Sequence, residues 1–402
     1  MGNSLSNKRD NFLQNFGGIF SFQIVVAAFF SWLLYVFPFG SFNNELIRLA
    51  VPKAGFFVTY SPVFIALRQV SVLLAASIMV IYAINKYELP KVSYLVHTLA
   101  FIHLMIGVKS IFYQSYGGLE WFANIPVLYV IAFFCEILVS RINRQQTRSL
   151  TLGVLLATGL TAFFHIDFGN MTGLTGLLSR HQFQYGNPNH AGVGLVSILM
   201  LFLSFDKNIS FLRTLLTLGV ILGVSALVFL TGSRTALTGL FIFIVLRYAK
   251  LSLLTSVLLI LAVGVGLLYI TFFSDIFVDR DNRISLWTKL FTHYSFGILA
   301  GADFSVQQGF VEGFYITVPY TLGLMGFLIL VVFGVFLLKN IYISYAVSNR
   351  FKEVVNLGPF LIAFSWFSLF ETVYLGVLTP NILILFFVIA WLRKSLHSIR
   401  AL

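Results

Sequence analysis

Apolar runs long enough to cross a lipid bilayer recur along almost the whole chain, and few folds can accommodate them. A spanning helix needs roughly 20 mostly apolar residues, and only a helix bonds every backbone polar group within one such segment. Runs of this kind lie near residues 18–38, 62–85, 92–112, 121–140, 149–166, 190–205, 211–230, 235–249, 252–273, 313–338, 357–374 and 380–393. They predict an all-α fold, a polytopic transmembrane bundle of about twelve helices forming a single membrane domain over residues 1–402. The second run carries Arg68 inside it, and the last begins at Pro380, a residue suited to a first helical turn. Two connections are long, 165–189 and 274–312, the larger one preceding the tenth run. Composition agrees: 58% of residues are hydrophobic and only 10% charged, against about 25% charged in a soluble domain.

The net charge of +12 raises the question of a nucleic-acid partner. The placement of the basic residues excludes one, because they stand in small clusters at the ends of apolar runs, where they set orientation. With Lys8 and Arg9 taken as cytoplasmic, Lys86, Lys91, Arg141, Arg144, Arg148, Lys207, Arg213, Arg247, Lys250, Lys339, Arg350, Lys352, Arg393, Lys394 and Arg400 fall on the same side. Both termini are therefore expected in the cytoplasm and both long connections on the outer face. Arg48, Lys53, Arg68, Lys109, Arg180, Arg234, Arg280, Arg283 and Lys289 fall on or towards the outer side, where the orientation rule disfavours them. The lone Cys135 allows no disulfide and no cysteine metal site. The seven histidines are scattered without metal-ligand spacing.

Four outer segments carry polar groups that could do chemistry. The first holds Arg180 and His181, followed by Gly186-Asn187-Pro188-Asn189-His190-Ala191-Gly192. It reads as a turn with Asn189 capping a helix from His190, and equally as a helix N-terminus offering N–H groups to an anion. The second, Thr231-Gly232-Ser233-Arg234-Thr235-Ala236-Leu237, is a tight connection with one arginine at the membrane boundary. Arg234 either snorkels to the interface or binds a ligand that Gly232 lets come close. The third pairs Asp279 and Asp281 with Arg280 and Arg283. Their Asp-x-Asp spacing suggests a metal site, but the interleaved arginines would repel a divalent cation, so a salt-bridge cluster is expected. The fourth is Glu312 at the head of Gly313-Phe314-Tyr315 and the run containing Gly323 and Gly326. A carboxylate entering lipid is costly and marks a functional candidate, with a helix N-terminal acid as the plain reading. Glu371, Glu136 and Glu120 raise the same question. Helix parity puts Arg180, Arg234, Arg283 and Glu312 on one face, an arrangement suited to a lipid-anchored pyrophosphate.

Gly186 to Ala191, Thr231 to Leu237, Arg283 with Trp287, and Glu312 with Gly323 and Gly326 eleven and fourteen positions on resemble the O-antigen polymerase and O-antigen ligase superfamily. The resemblance covers roughly residues 150–340. Ligases of that superfamily carry His, usually followed by Asn, where this chain has Glu312 and Gly313, and the acidic residue is similar to polymerases. The resemblance implies a metal-independent glycosyltransferase without cofactor in the bacterial inner membrane, with its site facing the periplasm. It would join repeat units of O-antigen or a related surface polysaccharide, moving glycan from undecaprenyl pyrophosphate to a hydroxyl of another lipid-linked unit. Arg234, Arg283 and Arg180 would hold pyrophosphate, and Glu312 would be the catalytic base. Asn189, His190, His181, Ser233 and Tyr315 would contact substrate more weakly. Implied partners are the undecaprenyl-pyrophosphate-linked oligosaccharide, membrane lipid and, optionally, a chain-length regulator. Two alternatives stay open: a ligase transferring glycan to lipid A-core, and a transporter or flippase for the lipid-linked glycan.

Overall fold

A computed structural model describes residues 91–112, 118–164, 188–206, 211–248, 255, 296–297, 299, 301–302, 313–351, 354–370 and 380–400. The expected helices at 18–38, 62–85 and 252–273, and most of both long connections, lie outside the described residues. Nine helices are described: α1 (Tyr94–Phe112), α2 (Gly118–Arg141), α3 (Arg144–Phe164), α4 (Pro188–Phe205), α5 (Phe211–Thr231), α6 (Arg234–Tyr248), α7 (Phe314–Arg350), α8 (Gly358–Phe370) and α9 (Pro380–Arg400). Between α6 and α7 stands a minimal antiparallel hairpin, β1 (Phe296–Gly297) and β2 (Gly301–Ala302), in which Phe296 faces Ala302. Three helices, Tyr94–Phe112, Trp121–Arg141 and Phe314–Arg350, are long and apolar enough to cross a membrane. Shorter apolar helices, Ala191–Phe205, Thr217–Thr231 and Gly358–Leu369, stand beside them. The chain is thus a helical, membrane-associated protein.

Local chemistry explains the boundaries. Pro188 and Pro380 open α4 and α9, where a missing N–H costs nothing. Asn143 and Gln146 form a reciprocal capping box at the start of α3: each side-chain oxygen accepts the other's backbone N–H at 2.9 Å. Ahead of α8, Ser344 Oγ accepts the Leu357 N–H at 2.8 Å, and Asn356 Oδ1 accepts the Gly358 N–H at 3.0 Å.

The basic residues gather at one end of the bundle. Arg393 meets the carboxylate of Glu136 and the carbonyl of Lys91, while Lys394 donates to the carbonyls of Val139 and Ile142 at 2.9 and 2.7 Å. Arg144 donates to the carbonyl of Phe205 at 3.4 Å, and Arg247 to those of Ser204 and Asp206 at 3.5 and 3.4 Å. Arg148 Nε lies 2.6 Å from the buried Asp206 carboxylate, whose other oxygen accepts the Thr217 hydroxyl at 2.8 Å. Phe205 meets Trp391 edge-on at 4.8 Å, which ties this cluster to α9. The start of α1, the end of α2, the start of α3, the ends of α4 and α6 and the last third of α9 therefore share one level.

Burial sorts the helices into layers. Every residue from Ala191 to Asp206 is buried, as is every residue from Asn381 to Leu392, so α4 and α9 fill the centre. Helices apolar all round suit that place. On α7, Leu324, Phe327, Leu328, Val331, Val335 and Leu338 are exposed, an apolar stripe suited to lipid contact.

The tenth apolar run departs from expectation. A straight helix of 37 residues would be about 55 Å long and would hold Phe314 and Phe333 about 28 Å apart. Their rings instead lie 5.1 Å apart. The cause is Gly323, with φ 62° and ψ −140°, a backbone state open to glycine alone. The short limb 314–322 folds back along the long limb 324–350, and a Cβ on Gly326 would come within 2.9 Å of the Val318 carbonyl carbon. Pro319 weakens the short limb further by removing one donor. Gly323→Ala is expected to cost about 1–3 kcal/mol, measured by thermal unfolding in detergent. Asp206→Asn should cost on the order of 3 kcal/mol, because it leaves arginines at the basic end without their carboxylate. A melting temperature unchanged from the parent protein would contradict either assignment.

Candidate functional site

At the end opposite the basic cluster, two of the four polar segments come together. The turn between α5 and α6 is built by its own hydroxyls. Thr231 Oγ1 donates to the Val228 carbonyl at 2.6 Å and accepts the Ser233 N–H at 3.2 Å. Gly232 stands at φ 61°, a left-handed state that lets the chain reverse here. Ser233 Oγ accepts the Ala236 N–H at 3.3 Å and caps α6. Thr231 and Ser233 are fully buried, and Arg234, the first residue of α6, is exposed.

Against this turn lies the first part of α4. A Cβ on Gly192 would meet Ser233 Cβ at 2.7 Å, Thr231 Oγ1 at 2.9 Å and Ala236 Cβ at 3.0 Å. Only a bare backbone fits there, so the helix containing Pro188, Asn189 and His190 packs directly on the turn that presents Arg234. Asn189 was expected to cap a helix starting at His190. The helix instead starts at Pro188, and Asn189 sits in its first turn, buried, three residues before Gly192 and so on the same face.

The charge here runs against local electrostatics. A cation at a helix N-terminus opposes the macrodipole by about 0.3–1 kcal/mol. Arg234 holds that position, with the N–H groups of the first turn of α6 beside it. A cation there would favour an anion, and the turn that carries it is built by the buried Thr231 and Ser233.

The other candidates stand as follows. Tyr315 is half-buried on the short limb of α7, its ring edge-on to Phe314 at 5.4 Å. α8 packs between α6 and α7, with Phe367 against Gly239 on one side and Gly358 against Tyr345 on the other. Arg180, His181, Arg283 and Glu312 lie outside the described residues, as do Glu371, Asp279 and Asp281. Gly313, next in the chain after Glu312, opens the short limb at φ 104°. Glu136 belongs to the basic end, where Arg393 engages it, and so stands apart from the outer segments. Among the histidines, His97 Nδ1 pairs with the Tyr129 hydroxyl at 2.8 Å, and the buried His103 Nδ1 with the Leu99 carbonyl at 2.8 Å. Among the described residues no group of three or more His, Cys, Asp or Glu could hold a metal ion.

Asp206 escaped the sequence reading, and Lys109 was noted there only as an outer-side cation, without its partner. Asp206 draws Arg148, Arg247 and Thr217 together, and its signal was an acid next to Lys207 in a connection between two apolar runs. Lys109, in the last turn of α1, donates to the carbonyl of Thr321 beside the α7 break. A run interrupted by Pro319 and Gly323 was the available clue.

No protein-family model matches this chain, and no curated protein matches it either.

Gly192→Ala should push α4 from the α5–α6 turn at a cost of about 1–3 kcal/mol. Thermal unfolding checks the cost. The labelling rate of an Arg234→Cys protein with a membrane-impermeant maleimide, with and without Gly192→Ala, checks the local shift. An identical rate in both backgrounds would mean the contact does not hold the turn.

Proposed function

We propose that this chain is a metal-independent glycan polymerase of the bacterial inner membrane. It extends O-antigen or a related surface polysaccharide from undecaprenyl-pyrophosphate-linked units. The observation that carries the reading is the packing of the Pro188–Gly192 helix start on the turn that presents Arg234. Two segments far apart in sequence thereby meet at the end away from the basic cluster. On this reading the basic end is cytoplasmic, the opposite end periplasmic, and about twelve spans complete the bundle.

The chemistry follows from the residue types. An acceptor sugar hydroxyl attacks the anomeric carbon of the donor glycan, forming the new glycosidic bond. The bond from that carbon to the pyrophosphate oxygen breaks, and undecaprenyl pyrophosphate leaves. Glu312 takes the hydroxyl proton, for which partial burial of a carboxylate is suited. Arg234 and Arg283 bind the diphosphate through planar forks and stabilise charge as it leaves. Arg180 and the helix start at 188–192 bind a further phosphate or sugar, with His181, Asn189, His190, Ser233 and Tyr315 as lesser contacts.

A lipid-linked glycan transporter draws support from one observation, the break in α7, since transporters use broken helices at substrate sites. Here the break is occupied by Lys109 and the β hairpin, which favours a built structural element over an open path.

Arg234→Ala and Arg283→Ala should each lower elongation by at least about 100-fold, the scale for losing a charge-stabilising donor. Arg234→Lys should not restore it, because a point charge cannot replace a bidentate fork. Gels of surface glycan read the result: single repeat units are expected. Long polymer retained on the carrier would indicate a ligase, and repeat units trapped on the cytoplasmic leaflet a transporter. Normal long chains in both variants would end the proposal.

A further inference from the structure

The fold-back of α7 creates a backbone problem that a single side chain solves. In an unbroken helix the carbonyl of Thr321 would accept the N–H four residues on, and the turn at Gly323 removes that partner. A carbonyl without a donor at membrane depth is costly. Lys109 supplies the donor from the end of α1. A lysine near the end of an apolar helix is itself costly unless engaged, so each group answers the other's need. β2 closes the same point from a third side. Gly301, at φ 75°, packs so tightly that a Cβ would stand 2.6 Å from the Thr321 carbonyl carbon and 2.7 Å from Gly323 N. The apex of the α7 hairpin is thus held by α1 and by β2 at one spot.

What the apex holds is the short limb. Its residues 314–322 begin directly after Gly313 and Glu312 and are anchored at the far end by the fully buried Phe314 against Phe333. Thr317 and Val318 are buried as well, so packing holds the limb along its length and Lys109 holds its apex. The geometry points to Lys109 as a positioning residue: by fixing the Thr321 carbonyl it holds the short limb 314–322, which starts directly after Gly313 and the Glu312 of the polymerase reading. This inference rests on the polymerase reading for its activity readout, and on the Lys109–Thr321 contact alone for its structural one.

The test compares Lys109→Gln, Lys109→Arg and the parent protein in the full chain, reconstituted in vesicles. Amide hydrogen exchange across 314–326 should rise in Lys109→Gln and return towards the parent rate in Lys109→Arg. The turnover rate of elongation should fall on the order of 10–100-fold in Lys109→Gln, as expected for a misplaced catalytic group. The KM for the lipid-linked donor should stay unchanged, because the arginines are untouched, and Lys109→Arg should recover most of the rate. Unchanged exchange in Lys109→Gln would overturn the clamp. Raised exchange with normal turnover, or a loss seen only in donor KM, would overturn the positioning role. Glu312→Gln run in parallel separates the two layers: if it elongates normally, the polymerase reading fails, and Lys109 then positions no catalytic carboxylate.

Discussion

A backbone carbonyl without a hydrogen-bond donor is tolerable in water and expensive in lipid, and this constraint organises the bundle. The end of a helix leaves four such carbonyls, and a polar loop in water would normally satisfy them. Here basic side chains from neighbouring helices do so. Lys394 reaches the end of α2, Arg144 and Arg247 reach the end of α4, and Lys109 reaches the break in α7. Each contact joins two helices, so satisfying the backbone also fixes which helices are neighbours. Positive charge of the kind that the orientation rule reads as a topology signal here also locks helix ends.

This double use explains the asymmetry between the two ends. At the basic end the cations are spent on carbonyls, on Glu136 and on Asp206, and they form a structural knot. At the other end the α5–α6 turn is held by the hydroxyls of Thr231 and Ser233.

Much of the helical architecture was legible in the sequence, because apolar runs and their basic ends obey rules that act over a single helix. Most described helices begin close to the expected limits, and Pro380 opens α9 as anticipated. However, α3 begins at Arg144 ahead of the expected 149, and α7 and α9 run on to Arg350 and Arg400, past the expected ends at 338 and 393. Gly323 and Gly326 stood out through the family resemblance, and the structure gives them physical roles, one as the bend and one as the surface against Val318. The fold-back itself was not legible. Apolarity measures depth and carries no sign of direction, so a run that reverses looks the same as one that continues. Asn189 was misread for a related reason: Pro188 could begin the helix as readily as precede it. The contacts of Asp206 and Lys109 depend on partners 41 and 212 residues away, beyond any local pattern.

The burial of α9 has a consequence for how such a molecule is made. Residues 381–392 form part of the centre, packed on α2 and α4, yet they leave the ribosome after nearly everything that surrounds them. Helices inserted earlier must wait with the faces that receive α9 covered by lipid or by the insertion machinery until α9 arrives. The inside is therefore completed late, and a chain stalled before residue 380 would leave the faces of α2 and α4 that receive α9 without their partner.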